Sequence, residues 1–290
     1  MRSFLRRIWQ ILTAPVRWLL TPFRALRDFI NHDPEDVPIA DVFSRTIEEP
    51  SLVFEHLEAL RRHLLRAMLV LILAVALAAV FAQDILAWLS EPIGGLEQLQ
   101  AIEVTENIGA FMRVSLLTGF ALSLPYIGLE IFAFMNPGLR RRERIMVLSF
   151  IPTGSILFVL GVLFTYYVML PAALPFLLNF LGISTAIRPA NYIRFVTGLM
   201  FWIGLAFQFP LVIYAVAALG FIDARMLIRG WRYAILVIAV IAAAATPTID
   251  PINMGLVMLP MIVLYFLSIG LAVLAGRGHR KRKAASQPPE

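Results

Sequence analysis

Six long apolar runs joined by short polar segments dominate this chain of 290 residues. About 20 consecutive apolar residues cross the hydrocarbon core of a bilayer, and a helix satisfies its own backbone there without water. The runs fall at 64–82, about 110–135, about 145–170, about 195–219, 233–245 and about 252–275. A soluble core cannot absorb them. The chain is 60% hydrophobic and 15% charged, whereas soluble domains are about 25% charged. The expected fold is therefore all-α: a polytopic membrane protein of six transmembrane helices. The short gaps place the helices in one bundle.

The polar segments alternate in charge. Arg61, Arg62 and Arg66 flank the start of the first run. The next segment holds Asp84, Glu91, Glu97, Glu103 and Glu106 and has no Lys or Arg before Arg113. Arg140, Arg141, Arg142 and Arg144 follow the second run, and only Arg188 and Arg194 follow the third. Arg225, Arg229 and Arg232 follow the fourth. The turn 247–251 holds Asp250, and the tail holds Arg277, Arg280, Lys281, Arg282 and Lys283. Lys and Arg in short loops mark the cytoplasmic side. All seven segments agree on one orientation, with both termini cytoplasmic. This distribution also removes nucleic acid as the reason for the net charge of +6.

The fifth run has about 13 apolar residues and covers roughly 20 Å of a core about 30 Å thick. It must recruit flanking residues, or the membrane must thin beside it. Trp231 and Tyr233 suit an interfacial anchor there.

The ends differ from the bundle (51–276). In 1–50, Pro15 and Arg17 interrupt the apolar stretch 8–20, and six arginines alternate with Phe4, Trp9, Trp18 and Phe23. The first reading is short helices on an anionic leaflet; a disordered basic arm and a partner-binding helix are the alternatives. Residues 277–290 form a basic tail, expected to be disordered and cytoplasmic.

Chemistry-bearing motifs are sparse. There is no cysteine, which excludes disulfides, thiol catalysis and Cys-ligated metals. No GxxxxGK[ST] loop, Rossmann fingerprint or HExxH appears. None of the four histidines lies mid-span, and mid-membrane ionisable groups of the pump type are almost absent. The expectation is no enzyme, no metal and no bound cofactor.

Four segments stand out: Phe54-Glu55-His56-Leu57-Glu58-Ala59-Leu60-Arg61-Arg62-His63-Leu64-Leu65 before the first run; Ala133-Phe134-Met135-Asn136-Pro137-Gly138-Leu139-Arg140-Arg141-Arg142-Glu143-Arg144 after the second; Phe207-Gln208-Phe209-Pro210 in the fourth; and Thr246-Pro247-Thr248-Ile249-Asp250-Pro251 between the fifth and sixth. Their order and spacing resemble the TatC family, the multi-spanning core subunit of the twin-arginine protein translocase. The matching patterns are HLxELRxRLL, WAFxxPGLxxxER, FExP and TPxxDP, over about residues 54–275. The resemblance implies a curved, glove-like bundle in the cell membrane. It implies recognition of twin-arginine signal peptides of folded cargo at the cytoplasmic face. It also implies recruitment of single-span TatA/TatB-type partners, assembly into a larger complex and transport driven by the proton-motive force.

Two guanidinium groups call for carboxylates, which bind them in charge-assisted, bidentate pairs. Carboxylates are few on the basic face, so Glu143, with Glu58 or Glu55 beside Arg61, is the expected signal-binding set. The plainer alternative is that these acids only balance neighbouring arginines. Ala59 stands where the family pattern has glutamate. Glu58, one residue earlier, is turned about 100° on a helix, so it either substitutes after a small rotation or the site is weakened. Gln208 likewise stands at a glutamate position. It keeps hydrogen-bonding capacity without an ionised group, and with Phe209 and Pro210 it is the expected contact for a partner helix; the alternative is a glutamine satisfied by its own helix or by water. Phe266 is a third apolar departure. The resemblance assigns Pro92, Glu103, Thr105, Glu106 and Phe111 to an outer, periplasmic cap, with Glu106 and Arg113 two turns apart on one helix face, and assigns Pro247 and Asp250 to a characteristic turn. Pro125, Pro152, Pro171, Pro175, Pro210 and Pro260 are expected to bend the spans. A small secondary transporter and a diverged, non-transporting scaffold are the competing readings.

Overall fold

The computed structural model describes residues 50–136, 139, 141–179, 186–245 and 251–285. The expected surface helices of 1–49 and the turn with Pro247 and Asp250 lie outside the described residues. Among those described, regular structure is helical apart from one isolated bridge, Leu99 to Ile187. The helices are α1 (Pro50–Val80), α2 (Ala82–Ser90), α3 (Glu106–Met135), α4 (Arg141–Phe164), α5 (Leu170–Leu178), α6 (Pro189–Ala206), α7 (Phe209–Ala218), α8 (Ala224–Ala245) and α9 (Pro251–Ala285).

Six stretches are long and apolar enough to cross a membrane: Phe54–Val80, Glu106–Met135, Glu143–Leu178, Pro189–Ala218, Ala224–Ala245 and Met254–Leu274. The six apolar runs of the sequence therefore each become a span, but their ends move. The first helix is described from Pro50 onward, so the whole Phe54–Leu65 motif is helical and continuous with the span. The fifth is a helix of 22 residues rather than 13, because α8 takes in Arg225, Arg229 and Arg232 at its start. The sixth runs on to Ala285, through a tail expected to be disordered. Lys, Arg and Ala are good helix formers, and no proline intervenes before Pro288.

The prolines act in two ways. The helices run through Pro125, Pro152, Pro175 and Pro260. At the other two positions the span changes character. A π-helical turn at Thr165–Met169 precedes Pro171, which sits in the first turn of α5. The fourth span breaks at Phe207–Gln208, and Pro210 occupies the first turn of α7, where a missing N–H costs nothing. Four buried hydroxyls in the spans are satisfied locally: Ser115, Thr165, Thr197 and Ser268 each donate to the carbonyl four residues back.

The chain forms two compact units. Of the described residues, the first holds those within 50–72 and 123–151, and the second those within 73–122 and 152–285. In the first unit the early turns of α1 pack on the last turns of α3. His56 lies over Phe134 with ring centroids 4.4 Å apart, and His63 reaches Glu130. Gly128 on α3 faces Ile151 on α4, whose Cγ2 would lie 3.1 Å from a Cβ placed there.

The second unit holds the main apolar core, built from Leu89, Val114, Leu170, Ile193, Val196, Met200, Ile203, Ala242 and Val257 among others. Small residues let its helices approach, as lipid-embedded packing requires. A Cβ on Gly119 would lie 2.6 Å from the Val75 Cα, and one on Gly161 would lie 2.7 Å from the Gly204 Cα. A second cluster joins Ile213, Ala217 and Ala272, where α7 meets α9. The turn from α7 to α8 closes as a Schellman motif: Phe221 N–H donates to Val216 O and Gly220 N–H to Ala217 O. Gly220 sits at φ 84°, which its lack of a Cβ permits. Large apolar side chains such as Ile72, Leu122, Leu236 and Val263 face outward, as spans in contact with lipid require.

Candidate functional site

The expected signal-binding residues all belong to the first unit. Glu55 and Glu58 are exposed on α1. Arg61 donates to Glu58 at 3.4 Å, and both side chains are more than half exposed. Arg62 Nε donates back to the Glu58 carbonyl at 3.3 Å. Glu58 therefore stands on the open side of the helix, tied loosely to its own turn. Ala59 instead lies on the face that carries His56 and His63 toward α3, and it is half-buried.

Glu143 is half-buried in the first turn of α4, where the helix dipole favours an anion. The neighbouring Arg144 is buried, and its Nε donates to the Leu139 carbonyl at 2.7 Å. That bond ties the loop after α3 to the start of α4. Arg140 and the Pro137–Gly138 pair lie outside the described residues.

The first unit also contains a buried polar cluster that the motifs did not single out. Glu130 on α3 is 1% exposed. His63 Nδ1 lies 2.6 Å from its Oε2, and Arg66 Nη2 lies 3.4 Å from the same oxygen. Arg66 Nη2 is also 3.0 Å from His63 Nδ1. The Tyr126 hydroxyl, one turn before Glu130, bonds the same carboxylate. Glu130 Oε1 is buried with no hydrogen-bond partner among the described residues. A sequence signal existed: His56, Ala59, His63 and Arg66 follow 3-4-3 spacing, one stripe of a helix, and Tyr126, Glu130 and Phe134 follow 4-4 spacing. The two stripes meet.

The remaining expected residues lie in the second unit. Gln208 Nε2 donates to the Gly154 carbonyl at 2.6 Å, so a glycine on α4 receives the amide of the broken fourth span. The acceptor of this N–H is thus a neighbouring helix rather than its own. Pro210 is buried, Phe209 is exposed, and the Phe209 ring lies 6.4 Å from that of Tyr265. Phe266 is half exposed beside Tyr265.

The cap is built from α2 and two short 3-10 turns, Glu91–Ile93 and Leu96–Gln98, with Pro92 in the first of them. Two tyrosines from the spans donate to the last carbonyls of α2, where helical partners run out; Trp88 O also accepts from the Glu91 N–H. Tyr166 donates to Trp88 O at 2.8 Å and to Glu91 Oε2 at 3.0 Å, with its ring stacked on Trp88. Tyr192 donates to Leu89 O at 2.6 Å. Glu106 is buried, and its Oε1 accepts from Arg188 Nε at 2.8 Å and also from Arg188 Nη2. Arg188 Nη2 further reaches Glu103 Oε1 at 2.8 Å. Bonds to Glu106 and then Glu103 push the Arg188 guanidinium above its already high ordinary value. Arg113 is exposed and makes no ion pair among the described residues. Two turns of helix separate it from Glu106 by about 10 Å along the axis, beyond ion-pair reach.

Known proteins match this arrangement along most of the chain. The family model described as Sec-independent protein translocase protein (TatC) matches residues 55–260. The chain belongs to the TatC family. A TatC from Carboxydothermus hydrogenoformans is 34% identical over 78% of this chain and 94% of its own length. One from Synechocystis sp. is 30% identical over 89% of this chain and 97% of its own length. A crystal structure of the twin-arginine translocase receptor TatC superimposes with a TM-score of 0.67 at 30% identity, covering 76% of this chain and 99% of that one. As a TatC-family protein, this chain is a multi-pass membrane subunit at the core of the twin-arginine translocase, a translocation component and not an enzyme. The permease and scaffold alternatives are not favoured by these matches.

Proposed function

We propose that this TatC-family subunit reads twin-arginine signal peptides of folded cargo at the cytoplasmic face, through Glu143 together with Glu58 or Glu55. The observation that carries the reading is the state of the acids in the first unit. Glu130 is buried and committed to His63 and Arg66, whereas Glu55 and Glu58 are exposed and Glu143 is half-buried in the first turn of α4. Among the described residues the Glu58 carboxylate pairs with an exposed arginine three residues away, a contact worth about 0–1 kcal/mol, so an incoming guanidinium displaces Arg61 at little cost. In this reading the subunit lies in the cell membrane with both termini cytoplasmic, as the Lys and Arg distribution supports.

Recruitment of single-span TatA/TatB-type partners is assigned to the Gln208–Phe209–Pro210 break, and self-association in a larger complex goes with it. Gln208 Nε2 is engaged by Gly154, so a partner helix meets this amide through its oxygen. Cells lacking the translocase core subunit provide the test, read as export of a folded fluorescent protein carrying a twin-arginine signal. Wild-type chain restores export, and Gln208→Leu lowers both export and co-purification of the single-span partners. Absence of export with the wild-type chain defeats the proposal. Unchanged co-purification with Gln208→Leu defeats the assignment of Gln208.

A further inference from the structure

We infer that Glu130 is a positioning residue for the signal-reading face: it fixes the register of α1 against α3 and so sets where the carboxylates of α1 stand. The inference rests on the signal-reading role proposed above.

Helices in lipid gain little from apolar contact with each other, because the surrounding chains are equally apolar. An apolar seam therefore leaves one helix free to slide or rotate on its neighbour. The seam of the first unit is not apolar. Its contacts run in antiparallel order: His56 on Phe134, then His63 on Glu130, with Arg66 closing on the same carboxylate. Tyr126 supports Glu130 from one turn away on its own helix. Ala59, half-buried, sits between the first two contacts on the same helix face.

This arrangement serves one register only. A slip of one residue turns α1 by about 100° and carries His63 and Arg66 off Glu130. A buried carboxylate left without cations is strongly disfavoured, and buried polar groups set register in helical assemblies. The same rotation would carry Glu55, Glu58 and Arg61 to a different side, because they share a rigid helix with His63. Glu130 does not touch the signal in this account. It acts through His63 and Arg66.

The absence of cysteine makes a labelling experiment direct. Cysteines replacing Phe54 and Ile145, both exposed and both in the first unit, carry spin labels in the full chain held in lipid nanodiscs. The same preparations bind a fluorescent peptide bearing an Arg-Arg signal or its Lys-Lys counterpart. Vesicles carrying the complete translocase give the cargo concentration at half-maximal rate and the maximal rate. Glu130→Gln removes the carboxylate that pairs with Arg66, so the neutral pair Arg66→Gln/Glu130→Gln is examined beside it in case the single variant does not fold.

The expected result is a broadened distance distribution in the variants, at least a tenfold loss of affinity for the Arg-Arg peptide, and a raised half-saturating cargo concentration with the maximal rate within twofold of wild type. Affinity within twofold of wild type in a folded variant overturns the inference. Weakened binding with an unchanged distance distribution also overturns it, because Glu130 would then meet the peptide directly. A wild-type chain that binds both peptides equally overturns the signal-reading proposal itself, and the positioning role with it.

Discussion

Replacing Gly161 with alanine tests the packing of the second unit at one of its closest backbone crossings. The added Cβ would lie 2.7 Å from Gly204 Cα, 3.0 Å from Ile203 O and 3.1 Å from Gly204 N. All three are backbone atoms, so no rotamer change relieves the contact. Carbon atoms prefer about 3.5–4.0 Å, so the third and fourth spans must part by roughly 1 Å. Overpacking of this kind costs about 1–3 kcal/mol. Alanine also gains about 1 kcal/mol of helix propensity over glycine, which blurs the comparison with wild type. Gly198 removes that ambiguity. It lies on α6, the helix that carries Gly204, and a Cβ there meets nothing within 4 Å. Gly198→Ala takes the propensity gain without the clash. The difference between the two variants is then the clash alone, about 1–3 kcal/mol, or roughly 5- to 150-fold in the unfolding equilibrium. Denaturant unfolding in detergent micelles, followed by circular dichroism, measures it. Equal stability of the two variants, within about 0.5 kcal/mol, refutes the reasoning. The damage also reaches Gln208, because Gly154 lies two turns from Gly161 and accepts its amide.

Three further expectations follow from the cap and the fifth span. Tyr192→Phe strands the Leu89 carbonyl, which the hydroxyl now reaches at 2.6 Å; the same unfolding assay should show a loss of about 1–3 kcal/mol, and no loss would mean that the carbonyl finds another donor. Arg188→Ala leaves the buried Glu106 without its cation; the thermal midpoint should fall clearly below that of Arg188→Lys, and equal midpoints would show the pair to be incidental. In the fifth span the apolar part remains the stretch from Tyr233 onward, although α8 is longer; depth-dependent quenching should report a hydrocarbon layer thinner beside α8 than beside α3, and uniform thickness would remove the thinning proposal.

The number of spans was readable because it rests on length and hydropathy, which are local. Their ends were less so. Proline marks a stop only where the backbone needs one, and the helices run through Pro125, Pro152, Pro175 and Pro260. The break at Gln208 was readable as polar chemistry beside a proline, but its acceptor, Gly154, lies 54 residues earlier and depends on how two helices cross. Glu106 shows the same limit. Spacing put Glu106 and Arg113 on one helix face, but the cation that holds Glu106, Arg188, lies 82 residues away. The polar stripe His56–Ala59–His63–Arg66 was present in the sequence, yet its meaning required the matching stripe on α3. Patterns give the face of a helix; pairing of faces comes only with the fold.

The central claim is that carboxylates of the first unit read the guanidinium pair of a signal peptide. Photocrosslinking of a twin-arginine peptide to wild-type chain and to Glu143→Ala tests it most directly, with a Lys-Lys peptide as the control. The account predicts a strong Arg-Arg crosslink to wild type, a weak one with Lys-Lys, and a yield reduced severalfold by Glu143→Ala. Equal yields from wild type and Glu143→Ala would contradict it.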